Sequence, residues 1–100
     1  MNLLIRQTAR DDILEAASFY EENESGLGEE VIAYLEQKVM ELAFTAGIHP
    51  VIRGYHRAVL RGKFSYYSIY YTLEQDAVHV RAVLDHRRDP RTLSRRLSQV

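Results

Sequence analysis

Near the end of the chain the run Leu84-Asp85-His86-Arg87-Arg88-Asp89-Pro90 gathers side chains suited to chemistry. Two adjacent guanidinium groups offer planar, paired N–H donors that match a phosphate or a carboxylate, and the imidazole of His86 titrates near neutral pH. The same residues also have a structural use. Asp89 can accept backbone N–H groups where the next segment starts, and Pro90 fixes the turn, so that the run braces the end of a strand. Bracing is the preferred role for Asp89 and Pro90. For Arg87 and Arg88, contact and bracing stand level.

Most of the basic charge lies in the same half of the chain. Residues 1–50 carry 10 acidic and 3 basic side chains, net −7, whereas residues 51–100 carry 4 and 10, net +6, although the whole is only −1. That asymmetry points to a basic surface for an anionic partner, or to a solvated charged face. Seven tyrosines lie among these charges. Rings between arginines can stack nucleobases, but Tyr67, Ile69 and Tyr71 at alternate positions read better as one packed strand face. There is no phosphate-binding loop, dinucleotide fingerprint or Ser/His/Asp set. With no cysteine and no metal-ligand spacing among His49, His56 and His79, no metal, no cofactor and no catalytic constellation is expected.

These side chains need positioning elements. The opening Leu3-Leu4-Ile5 alternates like a short strand, and Thr8 stands three residues before Asp11 as in a helix-capping box. Ile13, Ala16, Ala17 and Tyr20 recur at helical spacing to about Asn23. After ESGLG, a second helix runs through Leu27, Val31, Tyr34, Leu35, Val39 and Leu42 and closes before Gly47, which makes a helical hairpin. Beyond Pro50 the period becomes two. One strand carries His56, Ala58 and Leu60 opposite Arg57, Val59 and Arg61; FSYYSIYYTL forms another. A third, VHVRAVL, has Val78, Val80, Ala82 and Leu84 opposite His79, Arg81 and Val83. The expected fold is α+β: strand, helical hairpin, then a three-stranded antiparallel meander (β-α-α-β-β-β), with a short basic C-terminal tail. With the hairpin covering one sheet face, the other is left to solvent or a partner and collects Arg57, Arg61, His79 and Arg81.

The length of 100 residues and a composition of 46% hydrophobic and 27% charged fit one domain with a small core. The N-terminal apolar run is too short for a signal-peptide core, and no segment is long enough to span a bilayer, so a cytoplasmic protein without membrane contact is expected.

FYEENESGLG and the longer RGKFSYYSIYYTLEQDAVHVRAVLDHRRDPR together resemble the RelE/ParE superfamily of bacterial type II toxins, nearer its ParE branch, which includes plasmid-stabilisation proteins. The likeness follows the family's order over nearly the whole chain, residues 1–100 forming a single toxin domain. Ser65 stands where the family often has proline, and the strand holds one residue more than usual before Ile69.

The resemblance implies a cognate antitoxin encoded nearby, a small DNA-binding protein that folds onto the toxin, and a toxin–antitoxin hetero-oligomer. It also implies one of two targets. ParE-type members poison DNA gyrase by protein contact, whereas RelE-type members cleave mRNA on the translating ribosome with basic side chains and a C-terminal Tyr or His. Here RTLSRRLSQV lacks that aromatic, which favours gyrase. The ribosome-dependent nuclease, and a non-toxic member acting only with its antitoxin in operon autoregulation, are the alternatives. The expected target-binding residues are Arg57, Arg61, Arg81, His86, Arg87 and Arg88.

Overall fold

Apolar side chains at alternating positions build strands that need cover on two faces, and this chain supplies a different cover for each. In the computed structural model, which describes residues 1–100, the elements are β1 (Asn2–Ile5), α1 (Gln7–Asn23), α2 (Leu27–Thr45), β2 (Val51–Ile52), β3 (Tyr55–Val59), β4 (Tyr67–Glu74), β5 (Ala77–Asp85) and α3 (Pro90–Leu97). The five strands form one sheet in the order β1-β5-β4-β3-β2. Strands β2 to β5 pair antiparallel, while β1 runs parallel to β5, with Leu4 opposite His79. The sheet is therefore mixed, and the expected meander lies within it.

The hairpin is set by its link. Gly26 has φ +88°, the left-handed region glycine reaches without strain, and it serves as N-cap of α2. The Glu21 carboxylate accepts the N–H of Gly26 at 3.0 Å and of Gly28 at 2.9 Å, and these bonds hold its pKa below the usual carboxylate range. A Cβ on Gly28 would lie 2.9 Å from the Ala17 carbonyl oxygen, so this glycine is the crossing point of the two helices. The motif YEENESGLG thus has a local physical cause. At the other end of α1, Thr8 is no cap. The N-cap is Arg6, without a side-chain hydrogen bond, and Thr8 Oγ1 donates to the Arg81 carbonyl at 2.6 Å.

Beneath the hairpin lies the larger core, where Ile13, Val31, Leu35 and Val39 meet Ala58, Ile69, Tyr71, Val78, Val80 and Val83. Tyr67, Ile69 and Tyr71 do share this face. The alternation read along the last strand fails at Arg81. Tyr70 pairs with Ala82 and Tyr71 with Val80, so Arg81 is the extra residue of a β-bulge. One extra residue reverses every side chain beyond it. Val83 therefore joins the hairpin core, while Ala82 and Leu84 turn to the opposite face.

That opposite face is not left open, contrary to expectation. The basic tail folds as α3, and its Leu93 and Leu97, one turn apart, pack on Tyr70, Ala82 and Leu84. Each buried leucine contributes roughly 2 kcal/mol. A helix of 8 residues does not hold itself together in water, so its tertiary anchors matter. Tyr55 Oη donates to the Leu97 carbonyl at 2.6 Å, Arg53 Nε to Ser94 Oγ at 2.8 Å, and Arg96 pairs with Asp12 of α1. No helix is long and apolar enough to cross a membrane.

Candidate functional site

The six expected contact residues fall in four places. Strand β3 puts Arg57 opposite Tyr70 of β4, and the end of β5 brings His86 to Ser68, with Oγ and Nδ1 2.7 Å apart. Arg57, Ser68, Tyr70 and His86 form a polar cluster on the α3 side of the sheet. Arg57 and His86 are half-buried, and Ser68 and Tyr70 are fully buried. The Tyr70 hydroxyl and Arg57 Nε have no hydrogen-bond partner. Burial pushes the Tyr70 phenol up against the opposing pull of the Arg57 charge, and burial followed by the same charge pushes His86 down. His86 is consequently neutral at neutral pH.

Arg87 and Arg88 stand elsewhere, exposed where the chain turns from β5 into α3. Arg87 makes a two-pronged pair with Asp85, Nε to Oδ1 at 3.1 Å and Nη2 to Oδ2 at 2.7 Å, and lies 3.7 Å from the centre of the Tyr66 ring. This pairing holds the Asp85 carboxyl below its ordinary range. Arg88 reaches Glu15 of α1 only loosely, at 3.8 Å. Both line a cleft of about 160 Å³ with Asp12, Glu15, Tyr67 and Arg96. Tyr67 in its wall is pushed up to about 12 by burial, and remains a neutral donor throughout the physiological range.

Arg61 is exposed in the loop after β3, its carbonyl accepting the Tyr34 hydroxyl of α2. Arg81 is engaged internally: its Nη2 pairs with Glu74 at 2.5 Å and its Nε bonds Thr72 at 3.2 Å. His79, expected beside it on an open face, is 9% exposed and lies 3.1 Å from an Arg6 guanidinium nitrogen. Asp89 is the N-cap of α3, its carboxylate accepting the Arg91 N–H at 2.7 Å, with Pro90 in the first turn.

One functional-looking residue escaped the sequence reading. Asp12, an acidic side chain, sits on the buried stripe of α1 with Ala9, Ile13 and Ala16. Its position three after Ala9 and four before Ala16 was the available signal. Its Oδ2 accepts the Val83 N–H at 2.9 Å, and its Oδ1 holds Arg96. Burial outweighs both bonds and raises its pKa.

Chemically, the exposed arginines at 53, 61, 87, 88, 91 and 95 can each contact an anionic or acidic partner, whereas in the Arg57–Ser68–Tyr70–His86 cluster Tyr70 packs beneath Leu93 and Leu97 of α3, Ser68 is buried, and Arg57 and His86 are half-buried. A strand, a helical hairpin, a mixed sheet and a closing RRDP turn, in that order, are the plan of a RelE/ParE-superfamily toxin. The family model described as the ParE toxin of the type II toxin–antitoxin system parDE matches residues 3–90, from β1 to the first residue of α3, and the chain belongs to that family. No curated protein matches it. The family makes the protein the toxin of a type II pair and implies an antitoxin partner.

Proposed function

We propose that this toxin acts in the cytoplasm as a protein-contact inhibitor of DNA gyrase, and that a cognate DNA-binding antitoxin encoded beside it neutralises it in a hetero-oligomer. The observation that carries the reading is the division of the basic residues. Arg61, Arg87 and Arg88 are exposed, Arg87 while paired with Asp85, whereas in the titratable cluster Ser68 and Tyr70 are buried and Tyr70 packs against α3. A contact inhibitor needs such a surface and needs no reacting groups.

A second reading draws on the polar cluster. Arg57, Tyr70 and His86 are residue types that stabilise and protonate a phosphodiester in flight, and two of their polar atoms have no partner. A ribosome-dependent nuclease that used Tyr70 would need Leu93 and Leu97 of α3 to uncover it. Purified toxin tested in parallel on gyrase supercoiling and on translated mRNA separates the two: contact inhibition stops supercoiling and leaves the message whole.

A further inference from the structure

A cluster of rings lies beside the hairpin core, where α2 hands the chain to β2. Tyr71 of β4 is wholly buried there. Its hydroxyl accepts the Gly47 N–H at 2.8 Å and lies 2.5 Å from His49 Nδ1. The His56 ring of β3 stacks on Tyr71, centroids 4.9 Å apart at 16°, and its Nδ1 is 2.8 Å from the His49 carbonyl oxygen.

Proton counting fixes the tautomers. A carbonyl only accepts, so His56 carries its proton on Nδ1. The Tyr71 oxygen receives the Gly47 N–H, and the only other group within hydrogen-bond reach of its own proton is His49 Nδ1, so the phenol donates there rather than leave a buried proton without an acceptor. His49 is thereby neutral, with its proton on Nε2. Adding a proton at Nδ1 would set two donors face to face across 2.5 Å inside the core.

We propose that Tyr71, His49 and His56 form an acid-released latch that fastens the 46–50 connection, and with it the C-terminal end of α2, to the sheet. The groups bearing on His49 are His56 from β3 and Tyr71 from β4; no carboxylate opposes them. Burial, and then the charge His56 can acquire, hold the His49 pKa below 6.5. A histidine depressed in the folded state contributes stability that is present above its unfolded value and lost as pH falls through the folded one. Mild acid therefore frees His49 from Tyr71 and leaves the Gly47 N–H without its acceptor. Gly47 has φ +102°, so only a glycine-like backbone seats the connection when the latch is closed.

The test is amide hydrogen exchange of the whole protein between about pH 7.5 and pH 5, expressed as protection factors, with histidine tautomers read from ring nitrogen shifts. In the parent, Gly47 protection should fall by up to about tenfold per pH unit as pH drops from the free histidine value of about 6.5 toward the lower His49 value, and level off beneath it, while core amides of β5 keep theirs. His49→Gln leaves Tyr71 an acceptor that does not titrate, and should make Gly47 protection independent of pH. Flat protection in the parent, the same fall in His49→Gln, or a His49 proton on Nδ1 at neutral pH would overturn the latch.

Discussion

Asp12 of α1 holds the guanidinium of Arg96 on α3, 84 residues further along the chain, and with its other oxygen caps the N–H of Val83 in β5. One carboxylate thus joins both covers of the sheet. Asp12→Ala should destabilise the fold by about 3 kcal/mol, because it strands a buried N–H and leaves Arg96 without its partner. Asp12→Asn keeps an acceptor and should cost clearly less. The pH dependence has a definite sign. With the folded pKa raised above 3.8, Asp12 contributes stability that is present below the unfolded value and lost as pH rises through the folded one. In thermal melts from about pH 4 to pH 7, the parent's margin over Asp12→Asn should therefore shrink. A widening margin would show that the ion pair outweighs burial.

Gly28→Ala tests the helix crossing. Its Cβ would sit 2.9 Å from both the Ala17 carbonyl oxygen and Glu21 Oε1, so the two helices must part or the Glu21 cap must break. A loss of about 1–3 kcal/mol in denaturant melts is expected, despite the gain in helix propensity. An unchanged midpoint would mean that the crossing is loose.

The arginine rim and its neighbouring cap should behave as opposites. Arg61→Ala, Arg87→Ala and Arg88→Ala remove exposed groups and should relieve growth arrest while leaving the melting temperature near the parent's. Asp89→Ala removes the N-cap of α3 and should cost about 1 kcal/mol, with toxicity falling only in step with folded protein. Growth assays paired with melts of the four variants decide. Arginine variants that melt far below the parent would reassign those residues to bracing.

His86→Ala and Arg57→Ala probe the polar cluster. Under gyrase contact both variants, where folded, keep their toxicity, because the contact is assigned to the exposed Arg61, Arg87 and Arg88 and not to these half-buried side chains. Arrest abolished in soluble, folded His86→Ala protein would favour the nuclease.

How much was legible follows from the range of each physical signal. Hairpin and strands were written in local periods, and Gly26 with Gly28 marked their link. The bulge at Arg81 was not legible, because alternation across VHVRAVL reads equally well without an extra residue, and only pairing with Tyr70 and Tyr71 reveals it. The cover on the second face was half legible: Leu93 and Leu97 have helical spacing, but within TLSRRLSQV their burial depends on a surface formed by Tyr70, Ala82 and Leu84. For the same reason Arg57 and Arg61, four residues apart and on one face in the strand reading, end in different environments. Arg57 is half-buried opposite Tyr70, whereas β3 has already ended when the chain reaches the exposed Arg61.

The proposed action of this toxin is contact with gyrase. The most direct measurement is supercoiling of relaxed plasmid by purified gyrase, with increasing toxin and then with toxin preincubated with its antitoxin. The expected result is a dose-dependent loss of supercoiling with accumulation of cleaved DNA, reversed by the antitoxin and weakened in Arg87→Ala and Arg88→Ala. Undisturbed supercoiling by folded toxin that still arrests growth, together with codon-position cuts in translated mRNA, would contradict it.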